Sequence, residues 1–220
     1  MKITNEGFAV LEQDTHLSRW IEEQGKLCHD EAVPLFILPH INKGDTVIDA
    51  GAALGDHTSA YLNAVTSDGM VVAFEPNRKL YDCLVWNCPR AVCVRMALWD
   101  SWTLMDMVED PNAGAGYVMP GGEGELCGVP LDMFHFNRVD FIKMDIEGAE
   151  PRALQGAATT IAKHRPKIVV EVNRIALRRH RFVPEDIFRF FEQNRYSVGM
   201  LQPDAPNVSP DQYDILAIPK

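Results

Sequence analysis

Residues 46–58 read Thr-Val-Ile-Asp-Ala-Gly-Ala-Ala-Leu-Gly-Asp-His-Thr, and the order of residue types leaves little choice of local structure. Thr46 to Ile48 follow the turn signal Asn42-Lys43-Gly44-Asp45 and read as a buried strand. The apolar run stops at Asp49. Gly51 can take backbone angles that other residues avoid, and its missing side chain lets a ligand approach the main chain. Gly55 follows four residues later, and Asp56, His57 and Thr58 open a helix. Strand, glycine turn and helix in that order bring a helix N-terminus close to a ligand. Two glycines four apart carry little weight alone. Their place at the end of a strand, within a repeating strand–helix pattern, gives them weight.

That pattern runs through the chain. Residues 70–74 are a second strand ending in Glu75-Pro76-Asn77, and residues 78–88 a helix with Leu80, Leu84 and Val85 as its apolar stripe. Residues 91–96, 139–145 and 167–173 read as further strands, and residues 150–163 and 184–193 as helices. Residues 196–201 and 213–218 are the last two strands. No helical pattern separates them, so they are expected to pair antiparallel. The alternation predicts an α/β fold with a mostly parallel sheet and helices on both faces. We read 1–220 as one domain, with an N-terminal helical cover over 1–41 and an inserted hairpin and glycine-rich loop over 102–135. The cover is expected to hold helices over 16–25 and 32–41. Its Trp20, Lys26, His29 and Asp30 are candidates to face a cleft, although a packed Trp and solvated charges are the favoured reading. Residues 102–108 have the period of a hairpin strand. Residues 109–128 hold six of the 15 glycines, and read as a loop that serves as a lid or acceptor-binding element, or as a flexible insertion.

Composition narrows the partners. A net charge of −10 argues against binding a phosphate backbone and fits a small-molecule, sugar or peptide acceptor. No segment approaches about 18 apolar residues, and the N-terminus has no apolar signal region. A cytoplasmic protein with no membrane partner is the expectation. The five cysteines form no Cys-x-x-Cys pair and read as scattered reduced thiols.

Candidate chemistry lies at the strand ends. Glu75 ends the second strand where a nucleotide's ribose lies, and its carboxylate can accept bonds from both ribose hydroxyls. Side chains alternate along a strand, so Lys143 and Asp145 share one face, and Glu171 and Asn173 likewise share a face; if the two strands are neighbours, the four polar groups are expected to form one constellation at their carboxyl ends. A half-buried lysine needs a partner, and Glu171 is the one expected. A buried ion pair that supports the sheet is the competing reading for Lys143 and Glu171. Asp145 and Glu147, around a glycine at a strand end, read as function. Asp145, Glu171 and Asn173 also offer oxygen ligands to a divalent cation. No metal is expected, because Lys143 would sit beside it.

These stretches resemble a known family. Val47-Ile-Asp-Ala-Gly-Ala-Ala-Leu-Gly55 is similar to motif I of class I S-adenosylmethionine-dependent methyltransferases, and Val72-Ala-Phe-Glu-Pro-Asn77 to their acidic second-strand motif. Leu131-Asp132, followed by Asp140-Phe-Ile-Lys-Met-Asp-Ile-Glu-Gly-Ala-Glu150, resembles the hallmark of the FkbM-type methyltransferases. The resemblance runs from about His29 to Asn173. It implies a Rossmann-like, doubly wound, seven-stranded sheet with the last strand antiparallel. It also implies bound S-adenosylmethionine and O-methylation of a hydroxyl on a sugar or natural product. Ala52-Ala53-Leu54 depart from the Ala-Asn-Ile common in such families, which removes an asparagine contact.

The resemblance also implies roles. The backbone around Asp49, Gly51, Ala52 and Gly55 would pass the amino-acid end of the cofactor, with His57 and Thr58 near its carboxylate. Glu75 would hold the ribose, flanked by Pro76 and Asn77, and Met96, Ala97 and Leu98 would lie near adenine. Asp145 would face the sulfonium. By chemistry, an alcohol acceptor must lose its proton: Asp145, Glu147 or His57 is a candidate base, with Asp145 or Glu147 preferred, and Lys143 stands in the same catalytic group. Two other classes use a glycine turn and an acidic ribose contact: a nicotinamide-dependent oxidoreductase, and a catalytically silent nucleoside-binding protein. The first lacks here a full Gly-x-Gly-x-x-Gly and a second catalytic domain.

Overall fold

The structure is a computed structural model and describes residues 1–28, 33–121, 124–201 and 209–220. The candidates His29 and Asp30 lie outside the described residues. The chain opens with β1 (Lys2–Ile3), β2 (Ala9–Val10) and helix α1 (Leu17–Gln24). A first strand–helix unit comprises β3 (Thr46–Ala50), α2 (Asp56–Val65), β4 (Met70–Phe74), α3 (Arg78–Asn87) and β5 (Val92–Val94). An insertion contributes β6 (Ala97–Leu98), β7 (Thr103–Val108), β8 (Tyr117–Pro120) and β9 (Leu126–Val129). Next come β10 (Phe141–Met144), α4 (Glu150–Gly156), α5 (Ala158–His164), β11 (Lys167–Asn173), α6 (Arg174–Arg179), α7 (Pro184–Gln193), β12 (Tyr196–Met200) and β13 (Gln212–Pro219).

Seven strands form the central sheet in the order β12-β13-β11-β10-β3-β4-β5. β13 runs antiparallel to both of its neighbours, and the other pairs are parallel. The chain builds outward from β3 in one direction, then returns and builds outward from β10 in the other. The crevice between β3 and β10 is therefore the topological switch point, where open α/β sheets bind ligands. Alternation loads both faces. Ile48, Phe74, Ile142 and Val170 pack with Leu154 and Phe191 on one side. Val47, Val71, Phe141 and Val169 pack with Tyr61 on the other.

The departures from expectation have local causes. The described part of the helix expected over 32–41 is not a regular helix: a π-helical turn, Val33–Ile37, is followed by a single 3-10 turn, Leu38–His40. Pro39 lacks the N–H that a regular helix would need there. The helix expected over 150–163 is two helices, because the Asp132 carboxylate accepts from the Thr159 and Thr160 N–H groups and caps α5 afresh. The glycine-rich stretch is not a plain loop. It supplies β8 and β9 to a second sheet of order β6-β9-β7-β8. A Cβ on Gly124 would overlap the Met105 backbone, and one on Gly128 would press on the Met105 sulfur. Glycine there serves close packing beside β7. The N-terminal helix packs inward: Ile21 is buried, Trp20 joins its cluster, and Lys26 Nζ sits 5.6 Å from the centre of the Trp20 ring.

Candidate active site

β3 and β10 place Asp49 opposite Lys143 and Ala50 opposite Met144. Asp145 extends the pairing by donating its N–H to the Ala50 carbonyl at 3.1 Å. Gly51 takes φ +83°, and a Cβ there would overlap the Asp145 carbonyl oxygen. Only glycine lets the two segments meet at the mouth of the crevice. The N–H groups of Gly51 and Ala52 both donate to the Phe74 carbonyl, which ties the turn to the end of β4.

A cleft opens at that mouth. Gly51, Glu75, Pro76, Ala97, Leu98, Asp145 and Glu147 line it. Met107, Ala113, Gly116, Tyr117 and Val118 of the insertion line it as well. The other candidates lie behind or beside it. Asp49 is buried and accepts from the Thr58 hydroxyl at 2.6 Å, so this pair braces α2 against β3. Burial raises the Asp49 carboxyl, with Thr58 and then His57 and Lys143 opposing. His57 lies beside Asp56, 3.5 Å from its carboxylate. Gly55 precedes α2 at φ +97°. Asn77 caps α3 by accepting from the Lys79 and Leu80 N–H groups, and it lines a neighbouring groove with Glu12, Lys79 and Glu109.

Glu75 is buried at the end of β4, and each carboxylate oxygen accepts one main-chain bond. Oε2 accepts from Ala53 N at 2.9 Å and Oε1 from Asn77 N at 2.7 Å. Each oxygen keeps a further lone-pair direction. Burial pushes the carboxyl up to about 7, against the pull of those two bonds.

Lys143 is 3% exposed, and its ammonium lies 2.9 Å from Asp145 Oδ2. The expected partner, Glu171, accepts instead from Gln212 Nε2 at 2.7 Å. Lys143 and Asp145 stand two apart on one strand and share a face, so their pairing needs no reach across strands. Burial alone would lower the Lys143 pKa, but Asp145, Asp214 and Glu171 more than offset it. Burial likewise opposes ionisation of Asp145, and Lys143 outweighs it, so Asp145 is held below the ordinary carboxylate value. Glu171 rises to about 9 through burial and the neighbouring Asp145. Asn173 does not join the group: its side chain caps α6 by accepting from Ile175 N and Ala176 N. The third carboxylate is Glu147. One oxygen each from Asp145, Glu147 and Glu171 lies within 4.8 Å of the others.

The Asp-Ile-Glu-Gly-Ala-Glu run builds the turn that aims Glu147. Glu147 has φ +55° and Gly148 φ +99°, where a Cβ would overlap the Ala176 carbonyl. Glu150 Oε1 accepts from Ile146 N at 2.9 Å and Gly148 N at 3.2 Å, which clamps the turn from the start of α4. Burial, then Asp145, pushes Glu147 up to about 7, with Arg179 opposing. Arg179 Nη1 donates to Glu147 Oε2 at 3.3 Å, and the guanidinium lies 4.5 Å from the centre of the Tyr117 ring. Sequence reasoning passed over both residues. Arg178-Arg179-His180 resembles any solvated basic run, and Tyr117 sits among glycines.

The sheet order, the crevice at its switch point and the acidic residues at the strand ends define a Rossmann-like methyltransferase fold. Residues 126–198 match the methyltransferase FkbM domain. No curated protein matches the chain by sequence. Among solved structures it is similar to the methyltransferase FkbM from Methylobacillus flagellatus KT, with 21% identity and a TM-score of 0.53. That alignment covers 79% of this chain and 43% of the other, so this chain spans less than half of that relative's length. It is also similar to the precorrin-6y C5,15-methyltransferase from Geobacter metallireducens GS-15, at 13% identity and TM-score 0.53, over 99% of this chain and 97% of that one. A SAM-dependent O-methyltransferase from Thermotoga maritima aligns at 12% identity and TM-score 0.52, over 90% of this chain and 69% of that one.

The FkbM match implies S-adenosylmethionine as the cofactor, and the cleft suits it. Glu75 offers spare acceptor directions where β4 ends, Ala97 and Leu98 offer an apolar floor, and Asp145 is an ionised carboxylate at the mouth. Among the described residues, no helix is long and apolar enough to cross a membrane.

Proposed function

We propose that this chain is an S-adenosylmethionine-dependent methyltransferase that transfers the methyl group to a hydroxyl on a sugar or small natural-product-like acceptor. The observation that carries the reading is a single cleft at the β3–β10 switch point that brings together Gly51, Glu75, Leu98, Asp145 and Glu147. When bound, the cofactor supplies a methyl group on a cationic sulfur. Glu75 would hold the ribose, and Asp145 would face the positive charge. An alcohol acceptor must lose its proton, and Glu147 is the carboxyl group suited to take it. Asp145 is held ionised by Lys143 and is a weak base, whereas a carboxyl near 7 matches general-base work at neutral pH. The insertion wall from Met107 to Val118 would exclude water and orient the acceptor. The acidic surface, net −10, favours a small-molecule or glycan acceptor over nucleic acid or an anionic membrane. Cytoplasmic location is part of the same proposal.

The test is calorimetric titration with S-adenosylhomocysteine, with NADH as control, on the wild type, Glu75→Ala and Glu75→Gln. Binding of S-adenosylhomocysteine that both variants weaken supports the reading, and a screen of hydroxyl compounds would then identify the acceptor. Binding of NADH in its place would sink it and favour the oxidoreductase.

A further inference from the structure

Glu147 takes its cationic partner from a distant element of the chain. Asp145 is paired by Lys143 of its own strand. Glu147 instead meets Arg179, the last residue of α6, at 3.3 Å. The Arg179 guanidinium in turn lies 4.5 Å from the ring centre of Tyr117, the first residue of β8 in the insertion. Tyr117 and Glu147 both line the cleft. The contacts thus form a chain from the insertion wall, through an arginine, to the carboxylate proposed as base. His180, next to Arg179, is buried, packs its ring 6.4 Å from Tyr117, and is bonded to the Glu147 main chain. The end of α6 therefore supports the Glu147 turn through both its backbone and its side chain.

We infer that Arg179 is a positioning residue: it fixes the direction of the Glu147 carboxylate, and Tyr117 holds Arg179 in place. Among the described residues, the titratable and charged groups around Glu147 include Asp145 before the turn, Asp110 in the insertion, Glu171 on β11, His180 just after α6 and Arg179 at its end. Three of these are acidic. Arg179 is thus the cation that offsets them, and a planar guanidinium can bond a carboxylate and stack on a ring at once, which an ammonium cannot do as well. Arg179 couples the insertion to the Glu147 carboxylate, and His180 links Tyr117 to the Glu147 main chain. An acceptor that seats against Tyr117 would therefore be read at Glu147. Use of the carboxylate in methyl transfer rests on the function proposed above, but the coupling itself does not.

The experiment is a carboxyl-carbon NMR titration of Glu147, assigned by its loss in Glu147→Gln, on the wild type, Arg179→Met, Arg179→Lys and Tyr117→Leu. Arg179→Met should move the Glu147 midpoint upward by about one pH unit, the low end of the effect of a nearby opposite charge because the arginine is partly exposed. Arg179→Lys should restore part of the shift, and Tyr117→Leu should move the midpoint the same way by less. Arg179 lies outside the cleft lining, so S-adenosylhomocysteine affinity, measured by calorimetry, should change by less than about twofold, which is small against the tenfold that 1.4 kcal/mol represents. An unmoved midpoint in a folded Arg179→Met chain that still binds S-adenosylhomocysteine overturns the inference and leaves the methyltransferase reading intact. A moved midpoint in a chain that binds no S-adenosylhomocysteine overturns that reading and leaves the inference intact.

Discussion

The Cα of Gly51 faces the carbonyl oxygen of Asp145 so closely that no β-carbon fits between them. The glycine turn after β3 and the acidic end of β10 are therefore one structure, although 94 residues separate them in the chain. Gly51→Ala would strain a φ of +83° and push the two strand ends apart. It should destabilise the protein by more than about 1 kcal/mol and weaken S-adenosylhomocysteine binding. Urea unfolding and calorimetry on the same variant check both effects.

Lys143→Met leaves Asp145 beside a buried apolar side chain in place of an ammonium 2.9 Å away. Removing one partner of such a pair should cost about 3 kcal/mol. Asp145→Asn in the Lys143→Met background should recover part of that loss, because no charge is then left unpaired. A double-mutant cycle by urea denaturation measures the coupling, and strictly additive losses would show that the pair is not linked.

Glu150 predicts the direction of a pH effect. Its carboxyl is raised by burial from an ordinary 4.5 to about 7, against bonds from the Ile146 and Gly148 main chain. A raised acid binds more protons folded than unfolded. Its contribution is therefore complete below pH 4.5 and is lost as pH rises through about 7. Glu75 and Glu147, both raised to about 7, act in the same sense, and Glu171 extends the decline to about 9. The ligand-free protein should be less stable at about pH 8 than at about pH 5. Glu150→Gln imitates the neutral carboxyl and should flatten the decline by up to about 1.4 kcal/mol per pH unit where that group titrates. Urea unfolding across that range gives the slopes, and identical slopes for wild type and variant would count against it.

Glu147→Gln should lower the methyl-transfer rate by about a hundredfold or more if the carboxylate takes the acceptor's proton. S-adenosylhomocysteine affinity should be nearly unchanged. In the wild type, log kcat/KM should rise with pH up to about 7 and level off above it, because the ionised carboxylate is the working form. A flat profile below 7 would remove Glu147 from that role.

Much of the site was legible in the chain itself because it depends on local chemistry. Three neighbouring strands of the central sheet announce themselves by apolar runs that end in Asp49, Glu75 and Asp145. The glycine turn and the Asp-Ile-Glu-Gly-Ala-Glu run need their residue types for reasons that hold within a few positions: a left-handed φ, a first-turn glutamate, a proline at the start of α4. Two of the caps, Asn77 and Asn173, also act within three residues. Asn173 was misread because α6 has only six residues, too few for a periodic pattern to show.

Partners across the fold were not legible. Which acid Lys143 meets depends on whether its own strand or the neighbouring one offers the shorter reach, and the sequence allowed both. The glycines of the insertion signal flexibility and tight packing with the same residue type, and only the presence of β7 alongside shows that Gly116, Gly121, Gly124 and Gly128 serve packing. Glu147 is in the motif, but its arginine comes from 32 residues downstream and its aromatic neighbour from 30 residues upstream. Sequence determined which groups stand at the strand ends. The charge state of those groups was left to the tertiary structure, because burial and the distance to a counter-charge are properties of the packed chain and not of any segment of it.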